Sequence, residues 1–82
     1  MIKRVYTIRD EASGLFMDLQ VNINNEVAIR NFDYAMAKNE MMNFHPQDFS
    51  LWYIGDYDDT TGILNSVNPQ CIKRGAKKSG KA

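Results

Sequence analysis

The hydrophobic period changes twice along this chain, and this change restricts the folds that the chain can adopt. Ile2 to Arg9 alternates between two faces, and Leu15 to Val21 alternates again after a polar stretch that ends at Gly14. A period of two predicts strands, so these segments predict a hairpin. From Ala28 to Met36 the apolar residues recur at spacings of three and four, which predicts an amphipathic helix.

Two more strands are predicted after the helix. Asn24 or Asn25 can cap the first helical turn, and the helix should end between Asn39 and Asn43, ahead of Pro46. Phe49 to Tyr57 is then predicted to be a strand, and Ile63 to Val67 a shorter one that returns from a turn. Period two predicts that Leu15, Met17, Leu19 and Val21 lie opposite Phe16, and that Phe49, Leu51, Tyr53 and Tyr57 lie opposite Trp52 and Ile54.

These elements predict an α+β fold, a ββαββ two-layer sandwich in which one helix covers one face of an antiparallel sheet. We expect residues 1–68 to form a single domain and residues 69–82 to form a flexible basic tail. One helix leaves the second face of the sheet uncovered, and Val5, Phe16, Trp52, Ile54 and Leu64 are expected there. A second copy of the chain could cover that face, so we predict a homodimer with Phe16, Trp52 and Ile54 at its interface.

The formal net charge of zero conceals a separation of charge. Residues 1–70 carry five basic and ten acidic side chains, for a net charge of −5, whereas residues 71–82 carry five basic side chains and no acidic one. Those five are Lys73, Arg74, Lys77, Lys78 and Lys81. Such a tail can release counterions from a nucleic acid backbone, which predicts salt-dependent DNA binding. It could instead be a solubilising terminus, or fold back on the acidic body of a neighbouring subunit.

Aromatic residues on the strands offer a second route to nucleic acid, because single-stranded bases stack on rings. The candidate rings are Phe16, Trp52, Tyr53 and Tyr57, although aromatic residues at strand spacing are more often core or interface residues. Lys3, Arg4 and Arg9 are the basic residues expected near these rings.

Residues typical of catalysis or metal binding are sparse. His45 has no second histidine or reactive cysteine at catalytic spacing, Cys71 has no nearby base, and Asp58 and Asp59 fit a hairpin turn better than a cation loop. We therefore expect no enzyme activity, no cofactor and no metal. The absence of a long apolar run or a secretory signal predicts a protein that neither spans a membrane nor is exported.

The segment Asp48 to Gly62, DFSLWYIGDYDDTTG, resembles the small non-structural protein of gokushovirus-type microviruses, which are single-stranded DNA phages. The Ala-Ile-Arg-Asn-Phe segment at 28–32 and His45-Pro46 extend the resemblance to roughly residues 2–67. The resemblance implies a phage protein of the host bacterial cytoplasm that is absent from the virion and acts in single-stranded genome synthesis or packaging. It also implies DNA binding, with single strands favoured, and supplies no catalytic motif.

A protein-interaction module is the alternative from a different class. An assembly factor or an inhibitor of a host protein would contact a phage or host protein through the uncovered sheet face. Salt distinguishes the two hypotheses, because DNA binding weakens linearly with the logarithm of salt concentration and apolar protein association does not.

Overall fold

The computed structural model describes residues 1–76 and shows an α+β fold with a four-stranded antiparallel sheet. The strands are β1 (Ile2–Asp10), β2 (Leu15–Asn22), β3 (Phe49–Asp58) and β4 (Leu64–Arg74), and the helices are α1 (Asn25–Lys38) and α2 (Glu40–Phe44). A 3-10 turn at Pro46–Asp48 leads from α2 into β3. The α+β prediction is confirmed, but the predicted order ββαββ lacks the short second helix.

The core lies between α1 and one face of the sheet. The strand order is β2-β1-β3-β4, so β1 and β3 are central and β2 and β4 are the edges. Ala28, Phe32 and Met36 form the buried stripe of α1 and belong to one cluster with Tyr6 and Leu51 of the central strands. We call the other side of the sheet, which α1 does not cover, the open face.

Asparagine side chains set the helix boundaries. Asn24, one of the two asparagines predicted as the cap, caps α1, because its side-chain oxygen accepts a hydrogen bond from the Val27 amide at 2.9 Å. Asn39 ends α1 and caps α2, since its side chain accepts from the Met42 amide at 3.0 Å. Two consecutive caps therefore divide the predicted helical region into two helices.

Strand β4 is longer than the predicted segment Ile63 to Val67 and continues to Arg74. Residues 69–74, which the sequence assigned to the flexible tail, thus lie in the sheet, and the predicted boundary at residue 69 is incorrect. Pro69 is compatible with this position because an edge strand needs backbone donors on only one side. Lys77, Lys78 and Lys81 lie outside the described residues.

An irregularity in β3 changes which side chains share a face. Tyr6 pairs with Tyr53 and Val5 with Gly55, so Ile54 is an extra residue on β3. Beyond Ile54 the alternation is inverted, which places Tyr57 on the open face with Trp52. The prediction that Tyr57 shares a face with Tyr53 is therefore wrong, and Ile54 lies at the bulge without a partner in the register.

A second bulge affects β2. Phe16 pairs with Arg9 and Leu19 with Thr7, so three steps along β2 span two steps along β1. This extra residue places Phe16 on the same face as Leu19 and Val21. The predicted alternation, which put Phe16 opposite these two residues, is wrong for that reason.

Candidate functional site

The open face is organised in rows of side chains that lie opposite one another on neighbouring strands. Paired residues of antiparallel strands project from the same side of a sheet, so the register defines these rows. In the order β2, β1, β3, β4, the first row is Phe16, Arg9, Ser50 and Arg74, and the second is Leu19, Thr7, Trp52 and Cys71. The third row is Val21, Val5, Gly55 and Ser66, and the fourth is Lys3, Tyr57 and Leu64. Three of these residues are cations, and none is a carboxylate.

Two aromatic rings and a guanidinium group form the centre of the first two rows. The rings of Phe16 and Trp52 meet edge to face, with centroids 5.8 Å apart and an interplanar angle of 89°. The Arg9 guanidinium carbon lies 5.1 Å from the centroid of the Phe16 ring. We call Arg9, Phe16 and Trp52 the aromatic cluster. Phe16 is 43% exposed, so the cluster is accessible to a ligand.

Buried hydroxyl groups hold the aromatic cluster in place from below. The Trp52 indole Nε1 donates to the Ser50 Oγ at 2.8 Å, and Ser50 is buried. Thr7 is buried too, and its Oγ1 donates to the backbone oxygen of Met17 at 2.9 Å. These contacts fix the Trp52 orientation and tie β2 to β1, so the rings are positioned before any ligand arrives.

The cations of the open face differ in how strongly they are paired. Arg9 Nε lies 3.3 Å from a Glu11 carboxylate oxygen, and Lys3 Nζ lies 3.3 Å from a carboxylate oxygen of Asp59. Both carboxylates belong to turns at the ends of the sheet. Arg74 is exposed and, within residues 1–76, takes part in no ion pair. Arg74 is therefore the most available cation of this face.

The basic residues predicted from sequence do not all meet at one place. Lys73 and Arg74 are neighbours in an extended strand and point to opposite sides of the sheet. Lys73 lies on the helix side, where its Nζ donates to both carboxylate oxygens of Asp33 at 2.9 and 3.0 Å. Arg4 is also on the helix side, because it pairs with Asp56 rather than with an open-face residue. Of the predicted basic residues that lie within positions 1–76, Lys3, Arg9 and Arg74 share the open face.

Arg4 belongs to a polar network at the start of α1. Its Nη1 and the hydroxyl of Tyr6 both donate to the side-chain oxygen of Asn25. The Arg4 guanidinium lies 4.1 Å from the Tyr53 ring centroid, and the Tyr53 hydroxyl donates to Asp56 at 2.7 Å. This hydrogen bond, followed by burial, raises the pKa of Tyr53, whereas burial is the main cause of the raised pKa of Tyr6. The network anchors α1 to the sheet.

The residues considered for catalysis or metal binding are dispersed. His45 is exposed at the end of α2, and Cys71 is exposed beside Trp52 on the open face. The N-terminal amine donates to Asp59 at 2.7 Å, and this contact is the main reason that the pKa of Asp59 is lowered. A hydrogen bond from the Thr60 amide is the main cause of the lowered pKa of Asp58. Within residues 1–76, no three His, Cys, Asp or Glu side chains are grouped to hold a metal ion.

Sequence reasoning missed two features of this site. It did not assign Ser50 as the support of Trp52, and it did not separate Arg74 from Lys73. The separation could have been found from the alternation of an extended strand, had β4 been extended past Pro69.

Comparison with known proteins identifies the family of this chain. Neither the curated proteins nor the solved structures yield a match. In the part of the chain that the structure covers, no helix is long and apolar enough to cross a membrane. Residues 3–77 match the family described as Phage ORF5 protein, which is nearly the whole chain. The chain is therefore a phage protein and belongs to the Phage ORF5 protein family.

Proposed function

We propose that this protein binds single-stranded DNA through the open face and catalyses no reaction. The observation that carries the proposal is the arrangement of the first two rows, where rings and cations alternate across the sheet in the order Phe16, Arg9, Trp52 and Arg74. Rings and cations on one surface match the two chemical parts of a nucleotide chain, the base and the phosphate.

The geometry favours single strands over a duplex. The rings lie on a sheet surface, where an unstacked base can reach them, and stacking is worth about 1–3 kcal/mol per base. Reading a duplex requires an element that enters a groove, such as a helix or a two-stranded ribbon. The exposed side of α1 carries Glu26 and Asp33 together with Arg30 and Lys38, so it has no excess of positive charge with which to attract phosphate.

The charge of the described residues supports a weak, salt-dependent site. Residues 1–76 contain seven basic and ten acidic side chains, for a net charge of −3, so phosphate must be attracted locally. The rows of the open face supply that local attraction because they contain Lys3, Arg9 and Arg74 and no carboxylate. We propose that Lys77, Lys78 and Lys81, three further cations in the sequence, add to the affinity.

The resemblance to gokushovirus-type microviruses supports the same proposal. On that basis, the protein acts in the host bacterial cytoplasm, in single-stranded genome synthesis or packaging, and is absent from the virion. The Phage ORF5 family is consistent with this setting, since it makes the chain a phage protein.

A fluorescence titration tests the proposal directly. Trp52 is the only tryptophan of the chain, so its emission reports on the proposed site without a label. Titration with oligothymidylate should quench this emission, because a stacked base lies against the indole. A duplex of the same length should bind at least tenfold more weakly. The logarithm of the binding constant should fall linearly with the logarithm of salt concentration, with about 0.7 of slope per phosphate contact.

Two adjacent residues provide a matched pair of variants. Arg74→Gln removes a cation from the open face, whereas Lys73→Gln removes the same charge from the helix side of the same strand. Arg74→Gln should weaken binding and lower the salt slope by about 0.7, and Lys73→Gln should have a smaller effect on both. Equal effects of the two variants would show that net charge, and not the open face, determines binding.

Phe16→Ala tests the aromatic part of the site. The variant should weaken oligothymidylate binding about fivefold or more while the circular dichroism spectrum stays unchanged, because Phe16 lies on the edge strand and is 43% exposed. Unaltered affinity of Phe16→Ala and Arg74→Gln together would move the site away from the open face. Absence of binding by the intact protein at low salt would reject the proposal and leave the protein-interaction hypothesis.

A further inference from the structure

Strand β2 exposes far more apolar surface than the other strands. Its side chains are exposed from Leu15 to Val21, and Asn22 is only partly covered. Five of these residues are apolar, and two of them, Leu15 and Leu19, are 67% and 60% exposed. The fold of one chain therefore leaves the apolar side chains of β2 in solvent on both faces of the sheet. An exposed apolar surface of this kind usually marks an interface.

The two edges of the sheet are protected to different degrees. Proteins commonly protect an edge strand with proline, lysine or arginine, and with breaks in its register. The outer strand β4 has all of these, since it carries Pro69, Lys73 and Arg74 and pairs irregularly with β3. Strand β2 has one of these features, the bulge between Phe16 and Leu19, but it contains no proline and no basic residue, and Leu19–Asn22 pairs regularly with β1. The outer edge of β2 therefore offers unpaired backbone groups beside apolar side chains.

We infer that β2 pairs with β2 of a second copy of this chain, antiparallel and about a two-fold axis. A two-fold axis at Leu19 places that residue beside its own copy and Asp18 beside Gln20 of the other chain. Asp18, the only charged residue of β2, then does not face a second carboxylate. The edge is thus complementary to itself in both backbone pairing and charge.

The available area is sufficient for a stable dimer. Without Phe16, which belongs to the aromatic cluster, the exposed parts of Leu15, Met17, Leu19 and Val21 amount to about 400 Å² per protomer. Met41 of α2 lines the same depression as Leu15 and Met17, and Phe44 lies next to it. Met41 and Phe44 are 66% and 79% exposed, and their addition brings the exposed surface to about 700 Å² per partner, within the size range of a standard interface.

This assembly differs from the homodimer expected from sequence, which used the open face. Pairing through β2 leaves the aromatic cluster accessible and joins two sheets into one of eight strands. The two Trp52 side chains are then separated by five strand spacings, about 24 Å across the sheet. The inference goes beyond the proposed function and does not depend on it. Its tests measure assembly in the absence of DNA.

Sedimentation equilibrium of the full chain tests the assembly. The wild type should have twice the 9.4 kDa mass of the chain at micromolar concentration. Leu19→Lys places a charge on the unprotected edge and should weaken the dimer at least tenfold. Leu64→Lys is the matched control, since Leu64 is 57% exposed on the opposite edge, and it should leave the dimer unchanged. A monomeric wild type, or equal effects of both variants, would overturn the inference.

Cysteine cross-linking tests the register without relying on a destabilising variant. In a Cys71→Ser background, Leu19→Cys should form an intermolecular disulfide with copper–phenanthroline as oxidant, because paired strands bring Cα atoms within disulfide range. Leu64→Cys in the same background should remain monomeric on a non-reducing gel. Cross-linking at position 64 but not at position 19 would place the interface on β4 and refute the inference.

Discussion

Replacing Gly55 with alanine tests how closely the edge strand β4 approaches its neighbour β3. A Cβ atom at Gly55 would lie 2.6 Å from the backbone oxygen of Asn65, whereas ordinary contacts of a Cβ atom begin near 3.4 Å. The obstacle is a backbone atom of the paired strand, so no side-chain rotation can relieve the overlap. The two strands must separate locally by several tenths of an ångström, which would strain the hydrogen bonds of the neighbouring pairs.

The expected cost follows from this overlap. Overpacking of a folded core costs about 1–3 kcal/mol, and the reduced freedom of the unfolded alanine chain offsets only about 0.4–1 kcal/mol. We expect a net loss of about 1–2 kcal/mol, which lowers the melting temperature by roughly 5–15 °C for a domain of this size.

Thermal unfolding followed by circular dichroism, at one fixed protein concentration, measures this change. Ser66→Ala is the control because Ser66 is exposed and pairs with Gly55, and it should change stability by less than about 0.5 kcal/mol. A melting temperature of Gly55→Ala equal to or above that of the wild type would refute the reasoning.

Two other predictions concern the core and the tyrosine network. Phe32→Ala should lower the free energy of unfolding, measured in urea, by about 3–5 kcal/mol because Phe32 is 1% exposed. Tyr34→Ala, on the exposed side of α1, should change it by less than about 0.5 kcal/mol. Similar losses in the two variants would contradict the assigned helix face. The pKa of Tyr53 is raised above 10.0, so its contribution to stability is complete below that pH and is lost as pH rises through the folded pKa. The Tyr53→Phe variant has no hydroxyl that can ionise beside Asp56, so it should lose less stability than the wild type between pH 8 and pH 11. Identical losses would contradict the raised pKa of Tyr53.

Local patterns were sufficient to determine the main elements of the fold. The alternation of β1 correctly placed Val5 on the open face, and the helical spacing correctly predicted the buried stripe of α1 that contains Phe32. Of the two asparagines proposed as the cap of α1, Asn24 and Asn25, the first is the cap. These features depend on residues close in sequence, since strand alternation, helical periodicity and capping each involve only a few neighbouring positions.

The composition of the candidate site was decided by the tertiary structure. The bulge at Ile54 moved Tyr57 to the open face, and the bulge in β2 brought Phe16 and Leu19 together. Pairing with β3 extended β4 through Pro69, which separated Lys73 from Arg74. Bulges and strand lengths are set by hydrogen bonds between segments that are distant in sequence. A shift of one residue in such pairing moves every later side chain to the opposite face, and the period of a single strand contains no information about it.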